Sequence, residues 1–251
     1  MWVTVLALLV ASVGAESGHW NEKVLGGATA SDGKFPFTAS LQDANNKHYC
    51  TAAIISKKCI ISNAACSITA QANNFRIVVG ASKLSAGGTV YQIGSIVKPA
   101  TYNETSFLHN IAVIKPTKDI VFNDKIKPIR LTNKITPPRT SVTYTGWGMT
   151  KYPDTTMSDT LQYISLVIQE GKDCDSGTVP GYPNERKLCT ATAPGVGLCK
   201  GDLGGPLIEA NSLVGVSSTL YECAQGNPDT YEDIFSWRDW IRSQCDIPFC
   251  I

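Results

Sequence analysis

The chain has 251 residues, 43% hydrophobic and 17% charged, with a formal net charge of +1. That suits one β-rich globular unit of up to about 250 residues, or two small ones sharing an interface. A balance this close to zero gives no electrostatic reason to expect nucleic acid or an anionic membrane as partner.

The first element is an apolar stretch from Trp2 to Val13, followed by the small residues Val13-Gly14-Ala15. It reads as a secretory signal peptide over residues 1–15, and it is too short for a membrane span. Short β-prone runs follow: Phe37–Leu41, Ile60–Ser62, Phe75–Val79, Val90–Val97, Ile111–Ile114, Val142–Thr145, Leu161–Ile168, Leu207–Ile208 and Leu213–Val216. Turn signals at Gly87-Gly88, Pro137-Pro138 and Pro180-Gly181 separate them, which predicts a β-sandwich or barrels. The end differs. Ile234, Trp237 and Ile241 recur at helical spacing, so a C-terminal amphipathic helix is expected over Asp233–Gln244.

Nine cysteines agree with an oxidising, extracellular setting. The sequon Asn103-Glu104-Thr105 is a glycosylation acceptor in the same setting. No Cys-x-x-Cys pair occurs and there are only three histidines, so neither zinc nor any other cofactor is expected.

Four separated signals carry a family resemblance: Lys23-Val24-Leu25-Gly26-Gly27, the span from Cys50 to Cys66, Thr145-Gly146-Trp147-Gly148, and Gly201-Asp202-Leu203-Gly204-Gly205-Pro206. In this order and spacing they resemble the trypsin/chymotrypsin family of serine proteases. Leu161-Gln162-Tyr163-Ile164 and Leu188-Cys189-Thr190 look most like its secreted arthropod chymotrypsin-like members. The resemblance implies an all-β fold of two six-stranded antiparallel barrels with a C-terminal helix, and a site in the cleft between them. It divides the chain into a signal peptide (1–15), an activation propeptide (16–23), the protease-like domain (24–245) and a short tail (246–251).

The family's chemistry uses a histidine base, an aspartate that orients it and a serine nucleophile. The base position, in Ser62-Asn63-Ala64-Ala65-Cys66, is Ala65. The carboxylate position, in Asn110-Ile111-Ala112-Val113, is Asn110, and the nucleophile position is Leu203. His19 precedes the domain, and His48 and His109 sit beside the wrong positions; strand alternation is expected to turn His109 to solvent. Losing a triad costs on the order of 10⁶ in turnover, so the expectation is a protein that is not an enzyme. Gly201 and Leu203 mark what remains of the oxyanion hole. Leu203 is expected to plug the site against Ala65 and the Cys50–Cys66 bridge.

By the same resemblance, the Lys23-Val24 junction is an activation site for a trypsin-like protease, and Asp202 is the partner of the new amine. The pocket base lies at Gly197 and Asp229, with walls at Ser218, Thr219 and Leu220. Six cysteines pair as Cys50–Cys66, Cys174–Cys189 and Cys199–Cys223. Cys59 replaces the family's usual tryptophan on a strand facing the C-terminal helix. Cys59–Cys245 is therefore one option and Cys245–Cys250 the rival. Either leaves an odd thiol, which opens pairing into a disulfide-linked dimer. The function implied is a secreted binder of extracellular proteins, as a protease-cascade cofactor, regulator or inhibitor decoy. A weak serine-type hydrolase and a structural component of a secretion are the alternatives.

Overall fold

The computed structural model describes residues 25–67, 75–151, 153, 156–174, 186–219, 223–245 and 247. The expected signal peptide, the propeptide, Lys23, Val24, Leu220 and Cys250 lie outside them. Fourteen strands and two helices are described.

Strands β2 (Thr38–Asp43), β3 (His48–Ser56), β4 (Cys59–Ser62), β5 (Phe75–Val79), β6 (Thr89–Val97) and β7 (Ala112–Pro116) close into a barrel in the order β2-β3-β4-β7-β6-β5. All its pairings are antiparallel. Alternate residues of β2, β3 and β5 point inward, so Leu41, Ile54 and Ile77 are fully buried in the barrel core.

The second sheet holds eight strands rather than the six expected. Its body is β9 (Ser141–Gly146), β10 (Gln162–Val167), β11 (Lys187–Thr190), β12 (Pro206–Glu209), β13 (Ser212–Thr219) and β14 (Asp229–Asp233), in the order β10-β9-β12-β13-β14-β11. The two-residue strands β1 (Ala28–Thr29) and β8 (Arg130–Leu131) account for the difference, β1 on the edge of β10 and β8 parallel to β13. An antiparallel bridge between Ile168 and Thr190 joins the two ends of the body, so this sheet also curls on itself.

Helix α1 is the single turn Gly171–Cys174, and α2 spans Ile234–Cys245. Asp233 caps α2: its carboxylate accepts Phe235 N at 3.1 Å and Ser236 Oγ at 2.7 Å. The buried stripe is Ile234, Trp237 and Ile241, as the helical spacing predicted. It packs with Ile61, Val113, Leu131 and Val216, a core that joins both sheets.

Four disulfides are formed: Cys50–Cys66, Cys59–Cys245, Cys174–Cys189 and Cys199–Cys223. The choice left open for Cys59 and Cys245 is thereby made. The bridge ties β4 of the first barrel to the last residue of α2. No helix of the described residues is long and apolar enough to cross a membrane.

Candidate active site

Residues 65, 110 and 203 arrive at one place from three separate elements. After β4 the chain turns into a 3-10 turn over Ala65–Ser67. Asn63 caps it, accepting Cys66 N on Oδ1 at 2.9 Å and donating from Nδ2 to Ser217 O at 3.2 Å. This fixes Ala65, half-buried, beside Asn110.

Asn110 stands just before β7 and is fully buried. Its Oδ1 accepts Ala65 N at 2.8 Å, and its Nδ2 donates to Ser218 O at 2.9 Å. Its backbone N–H donates to Glu232 Oε1 at 3.0 Å. An amide serves both sides, since a carboxylate could accept from Ala65 but would set an oxygen against the Ser218 carbonyl.

A negative charge does exist nearby, on Glu232 of β14. It pairs with Lys187 of β11 at 3.3 Å, and both side chains are wholly inaccessible. Lys187 Nζ also donates to Ser218 Oγ at 3.0 Å and to Phe107 O at 3.3 Å. Glu232 further accepts Ser218 Oγ at 3.1 Å and Trp237 Nε1 at 2.9 Å. The three ammonium donors are used and both carboxylate oxygens are bonded, which is the condition for a buried pair to persist. Sequence reading missed this network; two polar residues inside β-runs, 45 positions apart, carry no local sign of pairing.

The loop before β12 carries Gly201, Asp202 and Leu203. Gly201 has φ of 95°, open to glycine at little cost. At Gly204 a Cβ would fall 1.9 Å from Ser62 Oγ and 2.6 Å from Thr51 O, so the loop lies too close to the first barrel for any side chain there. Thr51 N donates to Leu203 O at 2.9 Å, and Thr51 Oγ1 to Gly201 O at 2.9 Å. The Leu203 side chain is half-buried and rests on the cluster that contains Cys50 and Cys66.

Asp202 is fully buried, its carboxylate accepting Gly148 N and Cys199 N, both at 3.0 Å. Burial pushes its pKa up to about 7 despite these two donors. Just upstream of the described start lies Val24; Leu25, the next residue, is buried with Met149, Cys199 and Cys223, and its carbonyl accepts Gly197 N at 3.0 Å.

His48 is nearer to this loop than its position in the sequence implies. It is buried, with Nε2 at 3.0 Å from Gly201 O and Nδ1 at 2.8 Å from Ser40 Oγ. A carbonyl only accepts, so Nε2 carries the proton and Ser40 donates to Nδ1. Burial lowers its pKa to about 4, and the ring is neutral at neutral pH. His109 also departs from expectation. It lies in a turn with φ of 56°, not in a strand, so alternation does not apply. Its ring packs edge-on to Trp237 at 5.1 Å, and Nδ1 bonds Thr101 Oγ1 at 2.7 Å.

At the pocket base Gly197 and Asp229 do meet: a Cβ on Gly197 would lie 3.1 Å from Asp229 Oδ2. Asp229 accepts Leu198 N at 3.0 Å, and burial, reinforced by the charge of Asp202, raises its pKa to about 7. Ser218 is buried, and Thr219 Oγ1 hydrogen-bonds Thr230 Oγ1 across the sheet. Among the described residues no group of three or more acids, histidines or cysteines could hold a metal ion.

Comparison with known proteins follows the same lines. The trypsin family matches residues 24–241. Trypsin delta of Drosophila melanogaster is 32% identical over 224 residues, 88% of each chain. Hypodermin-A of Hypoderma lineatum is 34% identical over 227 residues, 89% of this chain and 88% of its own length. The solved structure of human heparin binding protein shares the fold, with a TM-score of 0.77 at 22% identity, covering 89% of this chain and 97% of that one.

These relatives correct the expectation that the chain is not an enzyme. The matched family is that of the trypsins, and relatives such as Trypsin delta are named for an enzyme activity. Ala65 and Asn110 are joined by the hydrogen bond described above, and the family that matches the chain is an enzyme family. By the extent of both matches, this chain belongs to the trypsin family of serine proteases.

Proposed function

We propose that the chain is a secreted member of the trypsin family that acts through binding extracellular proteins, as a cofactor or regulator in a protease cascade or as a decoy for protease inhibitors. The observation that carries this reading is the packing of Leu203 on the Cys50–Cys66 cluster, next to the Ala65–Asn110 contact. At these three positions no side chain can accept a proton from a nucleophile, and none can attack a carbonyl. Among the described residues, the loop at Gly201–Gly204 and the base at Gly197 and Asp229 are nonetheless held by hydrogen bonds to backbone groups. Four disulfides fit an oxidising compartment, and the apolar leader at Trp2 to Val13 supports secretion.

Cleavage at Lys23-Val24 by a trypsin-like protease is part of the same reading. Leu25, the residue after the junction, accepts Gly197 N on its carbonyl and packs with Cys199, three residues before the buried Asp202, which supports a link between cleavage and this loop.

A second reading is peptide hydrolysis, favoured by family membership and by relatives named trypsins. One experiment separates the two. The Val24-processed protein is offered protein inhibitors of trypsins and extracellular fluid from its source, and in parallel a peptide library and a fluorophosphonate probe. A stoichiometric complex with an isolated partner, without cleavage or labelling, supports binding. Library cleavage or probe labelling replaces it with hydrolysis.

A further inference from the structure

The sequon at Asn103 lies in the loop that leads from β6 to β7 and ends at Asn110. Asn103 is exposed, and its Oδ1 accepts the backbone N–H groups of both Thr105 and Ser106 at 2.9 Å. These two bonds hold the amide plane with its oxygen turned inward. Its Nδ2 makes no hydrogen bond to any described residue, on an exposed side chain. The backbone of the loop is itself pinned: Asn103 N donates to Leu108 O at 3.1 Å, and the two residues form an antiparallel bridge. Phe107 O is held by the buried Lys187. The acceptor is therefore presented on a fixed turn rather than on a loose tip.

We infer that Asn103 carries an N-linked oligosaccharide, added at Nδ2. In the step, Nδ2 attacks the anomeric carbon of an oligosaccharide carried on a lipid pyrophosphate. The carbon–nitrogen bond forms, the bond from that carbon to the pyrophosphate oxygen breaks, the pyrophosphate leaves with the electron pair, and Nδ2 gives up one proton. The donor is the lipid-linked oligosaccharide of the secretory compartment. The site thus rests on the secreted reading.

Position gives the glycan its consequence. Bridge partners lie about 5 Å apart at Cα and two residues span at most ~7 Å, so the Cα of Asn103 stands within about 12 Å of that of Asn110. A protein approaching the cleft from that side meets the glycan before it meets residues 65, 110 and 203.

The test uses the full chain made through a eukaryotic secretory pathway. The peptide holding residue 103 is read by mass spectrometry, before and after glycan release by amidase in heavy-oxygen water. The expected result is an oligosaccharide mass before release and a heavy-labelled aspartate at 103 after it. Thr105→Ser is expected to retain the modification and Thr105→Ala to lose it; both change an exposed residue and leave the fold alone. Protein in the medium with Asn103 unmodified overturns the inference and leaves the secreted reading standing. Protein retained in the cell with Asn103 unmodified overturns both.

Discussion

The side chain of Asn110 accepts the backbone N–H of Ala65 at 2.8 Å, although the two residues belong to different strands' ends and no imidazole lies between them. The contact ties the 3-10 turn after β4 to the segment that enters β7. The other edge of the Asn110 amide is anchored on Ser218 O. Both edges are thus used in cohesion.

A carboxylate at this position should be poorly tolerated. Asn110→Asp removes the donor to Ser218 O and adds a buried charge close to Glu232. We expect a loss of about 3–5 kcal/mol at neutral pH, the usual cost of an uncompensated buried charge. Burial raises the folded-state pKa of such a group, so the penalty grows as pH rises and shrinks in acid, where the protonated acid can donate to Ser218 O. Denaturant midpoints at pH 4 and 7 check this; equal midpoints for variant and wild type would show that the amide is not needed.

The Lys187–Glu232 pair gives a different pattern. Either Lys187→Met or Glu232→Gln alone leaves polar groups stranded, and each should cost about 3–5 kcal/mol. The double variant should cost clearly less than their sum, because the residues share one network. Additive losses in a double-mutant cycle would mean that the two residues do not depend on each other.

Stability should also depend on pH in two opposing ways. His48 has a folded pKa of about 4, below its ordinary 6.5, so the unfolded chain binds the extra proton. Its contribution is complete above 6.5 and is lost as pH falls toward 4, by about 3 kcal/mol in all. Asp202 and Asp229, raised to about 7, act in the other sense: the folded chain holds their protons, and stability falls as pH rises from about 4 to about 7. Replacing His48→Gln should remove only the first term. The advantage of wild type over the variant should then shrink on acidification from pH 7 to 4; a constant difference would show that His48 titrates normally.

Leu203→Ala tests whether the leucine rests on the first barrel. A half-buried leucine against the Cys50 and Cys66 cluster should cost about 1–2 kcal/mol, less than the 2–5 typical of a full core position. An unchanged unfolding midpoint would mean that the side chain stands in solvent.

Much of this architecture was legible in the sequence, but unevenly. Nine β-prone runs and the helix became strands and α2, because alternation and helical spacing are local signals. β14 was missed for a physical reason: Asp229-Thr-Tyr-Glu-Asp reads as a polar turn, yet all five residues are buried. Two of its acids are held by partners far along the chain, Leu198 N for Asp229 and Lys187 for Glu232, while Asp233 caps the adjacent α2. His48 was passed over for the same reason, since its carbonyl partner, Gly201, lies 153 residues away. The proximity of residues 65 and 110, and of Gly197 and Asp229, was anticipated only through the family resemblance, because no local signal in the sequence reports a pairing.

The bridge from Cys59 to Cys245 encloses 186 residues of separation, most of the domain. On the chain-entropy estimate it limits the unfolded chain by about 5 kcal/mol. It also makes that region a covalent ring. A cut at any one peptide bond inside the ring opens a loop and releases nothing, so a nicked molecule would still travel as one piece until its disulfides were reduced. Durability of this kind is independent of how any single surface loop fares.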